Sequence, residues 1–159
     1  MITVSILTVS DSAAAGRRED LSGPALRARC EALGWQVVSQ QTVSDDTDQI
    51  KERLVTWSDS KESRLILTTG GTGVAPRDIT PEATRSVIER EIPGLEEMMR
   101  SEGRKHTKFA VLSRGVTGTR GETLIVNLPG SPKGALESLE AIQELIPHVL
   151  ELLAGKTEH

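Results

Sequence analysis

The chain has 159 residues, 36 % of them hydrophobic and 26 % charged, with a formal net charge of −4 and a pI near 5.5. That is the size of one domain with enough apolar content for a real core, which excludes general disorder. Only Trp35, Trp57 and Phe109 are aromatic, so the core is aliphatic, and neither a stacking platform nor a basic footprint for nucleic acid is available.

The single cysteine, Cys30, excludes an internal disulfide and a Cys-rich zinc site, and suits a reducing compartment. No apolar run approaches the roughly 20 residues of a membrane span. The first apolar run begins at Thr3 with no basic leader before it. The expectation is one soluble, cytoplasmic domain over residues 1–159.

In chain order, Val4 to Val9 reads as a buried strand, followed by the polar stretch from Ser10-Asp11-Ser12 to Asp20. Ser22 is placed to cap a helix with Pro24 in its first turn and Leu26, Cys30 and Leu33 on one face; Gly34 ends it. Trp35 to Val43 is a second strand. Asp45-Asp46-Thr47 caps a helix with an Ile50, Leu54, Trp57 stripe. Arg64 to Thr69 is a third strand, ending in Gly70-Gly71-Thr72-Gly73. Thr80-Pro81-Glu82 opens a helix expected to run to about Arg90, and Leu95, Met98 and Met99 mark a short further helix after Pro93-Gly94. Phe109–Leu112 and Thr123–Leu128 read as strands joined through the glycine-rich stretch from Gly115 to Gly121. Pro129-Gly130-Ser131-Pro132 leads into a final helix that Pro147 kinks or divides.

Strands alternating with helices predict an α/β fold, a three-layer α/β/α arrangement on a mostly parallel, mixed sheet. In such sheets ligands bind beyond the carboxyl ends of the strands. The unusual loops of this chain all follow strands, so they are expected to converge on one rim. Gly70-Gly71-Thr72-Gly73 is the strongest feature: it is either a backbone cradle for phosphate or a plain tight turn. It is not a Walker A loop, nor a complete GxGxxG fingerprint. Asp45 and Asp78 follow the second and third strands. Each is either a solvated acid at a helix start or part of a phosphate-lined cleft, where two carboxylates would call for Mg²⁺. Ser131 and Lys133 open the last helix as an ordinary cap or as a second anion site. His106 and His148 lack metal-ligand spacing. Arg17-Arg18 is a solvated pair or an aid to an anionic ligand.

Thr68-Thr69-Gly70-Gly71-Thr72-Gly73, Pro76-Arg77-Asp78-Ile79-Thr80-Pro81-Glu82-Ala83-Thr84, Leu112-Ser113-Arg114 and Asn127-Leu128-Pro129-Gly130-Ser131 occur in that order. Together they resemble the MogA/MoaB group, which includes the G domain of gephyrin, over nearly the whole chain. The resemblance implies a molybdopterin-binding fold, usually trimeric. It implies transfer of AMP from ATP to the phosphate of molybdopterin with Mg²⁺ required, and delivery of the product to a molybdate-inserting partner. The resemblance makes Asp45 and Asp78 the family's two important aspartates, cast as catalytic and as magnesium ligands. Ser10, Asp11, Gly70, Gly71, Thr72 and Gly73 are then expected at the nucleotide phosphates, and Ser113, Pro129, Gly130, Ser131 and Lys133 at molybdopterin. Some MoaB-type members lack the Pro-Arg-Asp sequence, which Pro76-Arg77-Asp78 retains. Ser44 stands where proline is common, a change of loop rigidity more than of chemistry. The alternative function is a non-catalytic molybdopterin carrier or scaffold.

Overall fold

The computed structural model describes residues 1–158. The chain runs through Thr3–Val9 (β1), Asp11–Ala14 (α1), Ser22–Ala32 (α2), Gln36–Val43 (β2), Thr47–Asp59 (α3), Leu65–Thr69 (β3) and Thr80–Arg85 (α4). It continues through Arg90–Glu91 (β4), Pro93–Gly103 (α5), Thr117–Arg120 (β5), Thr123–Leu128 (β6), Pro132–Ile142 (α6) and Ile146–Leu153 (α7). Pro147 lies in the first turn of α7, so the expected single terminal helix is divided there. A proline ring is tolerated at a helix start because the amide it lacks has no partner there anyway.

The strands form one six-stranded sheet in the order β2-β1-β3-β6-β5-β4. β2, β1, β3 and β6 are parallel, and β5 and β4 continue antiparallel. This is the mixed, mostly parallel sheet that the alternating pattern predicts. Alternate residues of the inner strands point to opposite faces. Val4, Ile6, Leu65, Leu67, Leu124 and Val126 pack against α2, α5, α6 and α7 through Leu26, Cys30, Met99, Leu139 and Leu150. Leu7, Val9, Ile66 and Ile125 face the other way, onto Ile50, Leu54 and Trp57 of α3 and onto Ala83 of α4. All of β3 is buried, as expected of a strand covered on both sides.

Two expectations are corrected. Phe109–Leu112 is not a strand but part of a 3₁₀ turn over Lys108–Leu112, capped by the Thr107 hydroxyl, which accepts the Phe109 amide at 3.3 Å. Its apolar side chains are exposed, Phe109 by 66 %, so no sheet face holds them. The strand lies further on, in the Thr- and Gly-rich Thr117–Arg120, because the two residues Gly121-Glu122 close a hairpin onto β6. The helix expected to reach Arg90 stops at Arg85. There the Ser86 hydroxyl takes the Ala83 carbonyl at 2.6 Å, and the Glu89 amide pairs with Thr119 O at 2.7 Å, drawing the chain into the sheet. The cap expected from Ser22 comes from Asp20, whose Oδ1 accepts the Gly23 amide at 2.9 Å.

Parallel alignment has a direct consequence for function. β1, β2, β3 and β6 all end at one edge, so the turns after Val9, Val43, Thr69 and Leu128 meet there. β1 connects to β2 on one side and the chain returns to β3 on the other, which makes the crevice beside β1 a topological switch point.

Leu67 is fully buried in the central strand while Phe109 is exposed. Leu67→Ala is expected to cost about 2–5 kcal/mol, and Phe109→Ala about 0.5 kcal/mol or less, in urea unfolding. Equal effects would place the core elsewhere. Burial pushes the Cys30 thiol up to about 12. Iodoacetamide at pH 8 should therefore modify Cys30 only at urea concentrations that unfold the chain.

Candidate active site

The glycine turn is built by its neighbours. Gly70 and Gly71 have φ of +103° and +69°, which for other L-residues costs about 1–2 kcal/mol each. A Cβ on Gly71 would also lie 3.2 Å from Asp45 Oδ1. The turn is pinned from both sides. The Gly70 amide donates to Leu128 O (3.1 Å) and the Thr69 hydroxyl to Pro129 O (2.6 Å), which ties it to the end of β6. From α4, the Thr80 amide and hydroxyl donate to Gly71 O (3.1 Å) and Gly70 O (3.0 Å). The carbonyls are thus consumed. The amides of Gly71, Thr72, Gly73, Gly130 and Ser131 donate to no acceptor among the described residues. Free amides grouped in a turn are what a phosphate cradle requires.

Three loops are then cross-tied. Asp45 and Asp11 exchange hydrogen bonds: the Asp11 amide donates to Asp45 Oδ2 (2.9 Å) and the Asp45 amide to Asp11 Oδ1 (3.0 Å). Arg77 donates through Nη2 to Asp11 Oδ1 at 3.0 Å and to Asp45 O at 3.2 Å. Arg77 holds the Asp11 carboxyl below its usual range, while Asp11 in turn keeps Arg77 protonated. Burial pushes Asp45 up, and the charges of Asp11 and Asp78 add to that shift. Asp78 closes a small turn, its Oδ2 accepting the Ala75 amide at 2.9 Å. A Cβ on Gly73 would lie 2.8 Å from that same oxygen. Asp45 and Asp78 therefore flank one glycine turn, and Oδ1 of each has no hydrogen-bond donor among the described residues.

Two cavities open on either side of this turn. One, of about 390 Å³, is polar and lined by Thr8, Ser10, Asp20, Asp45 and Gly70, with Arg18 at its wall. The other, of about 460 Å³, is bounded by Gly73, Ser113 and Pro129 and by the apolar side chains of Met99, Phe109 and Leu112. Gly71, Asp78, Gly130 and Ser131 border both. Thr72 lines the more apolar one. Asp11 lines neither cavity and is bound to Asp45 and Arg77. Lys133 also lines neither: its side chain is 84 % exposed and lies 3.9 Å from Glu137. Ser131 caps α6, its hydroxyl accepting the Gly134 amide at 3.1 Å.

Among the described residues no group of three or more His, Cys, Asp or Glu is arranged to hold a metal ion. The free Oδ1 atoms of Asp45 and Asp78 nevertheless suit a magnesium ion that takes most of its oxygens from a substrate's phosphates and from water.

The pattern of the family described as "Probable molybdopterin binding domain" matches residues 5–148. The chain belongs to this family. The chain is 46 % identical over 153 residues to "Molybdenum cofactor synthesis protein cinnamon" of Drosophila melanogaster, covering 96 % of this chain but only 26 % of that protein. It is 41 % identical over 159 residues to the "Molybdopterin adenylyltransferase" of Helicobacter pylori strain J99, covering 97 % of this chain and 89 % of the relative. Among solved structures, the "Molybdopterin biosynthesis enzyme MoaB" from Thermus thermophilus superposes with a TM-score of 0.92 at 52 % identity, over 98 % of both chains.

Sequence reading singled out the residues at the strand ends but gave no role to Asp20 or, beyond its place in a motif, to Arg114. Asp20 Oδ2 accepts the Thr8 hydroxyl at 2.7 Å inside the polar cavity. Arg114 binds the glycine turn from behind. Asp20 carried a signal, an acid three residues before a helical glycine, but its partner Thr8 is not adjacent in sequence.

Stability should follow these charges with opposite signs. Asp11, Asp59 and Glu82 are each held low by a hydrogen-bonded arginine. Their contribution is full above the ordinary carboxylate range and is lost as pH falls through their lower folded values. Asp45 is raised, so it withdraws stability as pH climbs through about 4. Asp45→Asn is therefore expected to raise the melting temperature at pH 7. The gain should fade as pH falls through the ordinary carboxylate range, where the Asp45 carboxyl takes up its proton. A lower melting temperature at pH 7 would refute this charge balance.

Proposed function

We propose that the chain is a molybdopterin adenylyltransferase of molybdenum-cofactor biosynthesis, transferring AMP from ATP to the phosphate of molybdopterin and releasing pyrophosphate. Adenylyltransferases such as the Helicobacter pylori enzyme share its full-length similarity. The observation that carries the mechanism is the pair of cavities meeting at Gly71, Asp78, Gly130 and Ser131. A reaction between two anionic substrates needs two pockets whose phosphate ends face one another.

In this reading ATP lies in the polar cavity, with Ser10, Arg18 and the Gly71 amide around its phosphates. Molybdopterin lies in the more apolar cavity, its ring system against Met99, Phe109 and Leu112. Its phosphate end reaches the Gly130 and Ser131 amides, with Ser113 further along the wall. A phosphate oxygen of molybdopterin attacks the α-phosphorus of ATP. The new P–O bond forms as the α–β phosphoanhydride bond breaks and its electrons leave with pyrophosphate. That phosphate is already ionised near neutral pH, so no strong general base is required, and none is offered here. The residues' task is alignment and neutralisation of charge. Amide groups do this without bringing a counter-charge that the product must escape. Asp45 and Asp78 would hold Mg²⁺, which when bound supplies positive charge to the ATP phosphates and the departing pyrophosphate. Lys133 has no role in this account because it lies outside both cavities.

The active form in this reading is a homotrimer of 159-residue molybdopterin-binding domains working in the cytoplasm. Its product passes to a molybdate-inserting enzyme. Family membership supports these statements. Among the described residues no helix is long and apolar enough to cross a membrane.

The test is formation of adenylyl-molybdopterin from purified molybdopterin and ATP. Asp78→Asn is expected to retain molybdopterin binding while turnover falls by about 100-fold or more, the scale on which removing a charge-placing group acts. ATP binding should depend on magnesium. A chain that binds molybdopterin with no ATP dependence, or an Asp78→Asn variant with normal turnover, would instead indicate a carrier.

A further inference from the structure

The segment from Gly73 to Ile79 carries Asp78 and the far end of the glycine turn, yet Val74, Ala75, Pro76 and Arg77 are exposed. Its internal bonds, Asp78 N to Ala75 O and Ala75 N to Asp78 Oδ2, both 2.9 Å, shape it without attaching it to the rest of the protein. Ile79 packs against the core at its far end, and the exposed part is attached by two arginines. Arg77 reaches outward to Asp11 and Asp45 on the side of the polar cavity. Arg114 grips the segment from the opposite side.

Arg114 precedes β5, 36 residues after Asp78. Its Nε donates to Gly73 O and its Nη2 to Asp78 O, both at 2.7 Å. Nη1 and Nη2 reach Glu82 Oε2 and Oε1 at 2.7 and 3.3 Å. Its own amide donates to Thr72 O at 2.8 Å. A single planar fork therefore spans both ends of the exposed segment and is aimed by a carboxylate on α4. Neither Gly73 O nor Asp78 O has another donor among the described residues. Arg114 lines neither cavity, and its charge is already paired with Glu82, so it is not a phosphate ligand.

We propose that Arg114 is a positioning residue for adenylyl transfer: by bridging the carbonyls of Gly73 and Asp78, it fixes the spacing between the glycine-turn amides and the Asp78 carboxylate. This rests on the adenylyltransferase reading. The fork is the reason for arginine here. A lysine ammonium is a point charge on a flexible stem and cannot satisfy two carbonyls and a carboxylate in one plane. Misplacement of a reacting group by an ångström costs on the order of 100-fold in rate. The clamp thus acts on turnover, while the binding surfaces, which it does not line, keep their affinities.

The test compares the wild-type chain, Arg114→Lys, Glu82→Gln and the double variant in the adenylyl-molybdopterin assay, with melting temperatures alongside. Arg114→Lys is expected to lower kcat by about 10- to 100-fold while both KM values stay within about 3-fold. Glu82→Gln leaves the fork on its carbonyls but weakens its aim, so kcat should fall by about 2- to 5-fold. The double variant should be no slower than Arg114→Lys alone, because the two residues act as one unit. If Arg114→Lys melts far below the wild type, Glu82→Gln decides: a kcat loss at unchanged KM in a variant that stays folded at the assay temperature supports the clamp, and wild-type kcat overturns it. Wild-type kcat in a folded Arg114→Lys, or a rise in KM with kcat unchanged, also overturns it. A wild-type chain that makes no adenylyl-molybdopterin removes the reading beneath it, and this inference with it.

Discussion

Carboxylates crowd the rim of the sheet, and the repulsion among them is the constraint around which the rim is arranged. Asp45 and Asp78 must stand near one another because the strands that deliver them are parallel and end at the same edge. Left alone, that charge would drive the loops apart. The structure answers with the backbone exchange between Asp11 and Asp45 and with the Arg77 guanidinium laid across both loops. Asp45 remains strained in the electrostatic sense, its proton held more tightly than usual by burial and by its acidic neighbours. An uncompensated acid is a poor choice for stability and a good one for receiving a cation that arrives with substrate.

The two cavities differ in chemistry as the two proposed substrates do. The polar one is framed by hydroxyls, acids and Arg18. The other has a wall of Met99, Phe109 and Leu112. The exposed apolar residues of the 3₁₀ turn, which make no sense as a strand, fit a wall against which a flat ring system rests. The ridge between the cavities has glycine at two of its four residues, Gly71 and Gly130. It therefore adds little bulk where two phosphate groups must approach.

Much of this was legible in the residues. Buried strands announce themselves as short aliphatic runs, and β1, β3 and β6 were read to within a residue or so. The convergence of Asp45, the glycine turn and Pro129–Ser131 followed from strand direction alone. The misreadings share one physical cause, the reach of tertiary contacts over local pattern. Phe109–Leu112 has a strand's composition but no sheet neighbour to claim it. Thr117–Arg120 has a loop's composition but a hairpin partner that does. The helix after Thr80 ended early because Glu89 found an acceptor on β5. Lys133 sat at a promising helix start, yet its side chain leaves the rim and pairs with Glu137. Arg114 was visible only as part of a family motif, since its partners lie 32 to 41 residues away.

The two outer borders of the sheet also bear on how the chain behaves in a crowded solution. At one border β4 is only Arg90–Glu91, two charged residues. At the other, β2 is rich in Gln, Ser and Thr, and its pairing with β1 slips by one residue between Val37 and Ser39. Short length, charge and an irregular pairing step are the means by which open sheets discourage strand-on-strand growth. A concentrated population of these molecules is thereby steered away from fibrillar self-association, with the aliphatic strands that would feed it kept in the interior.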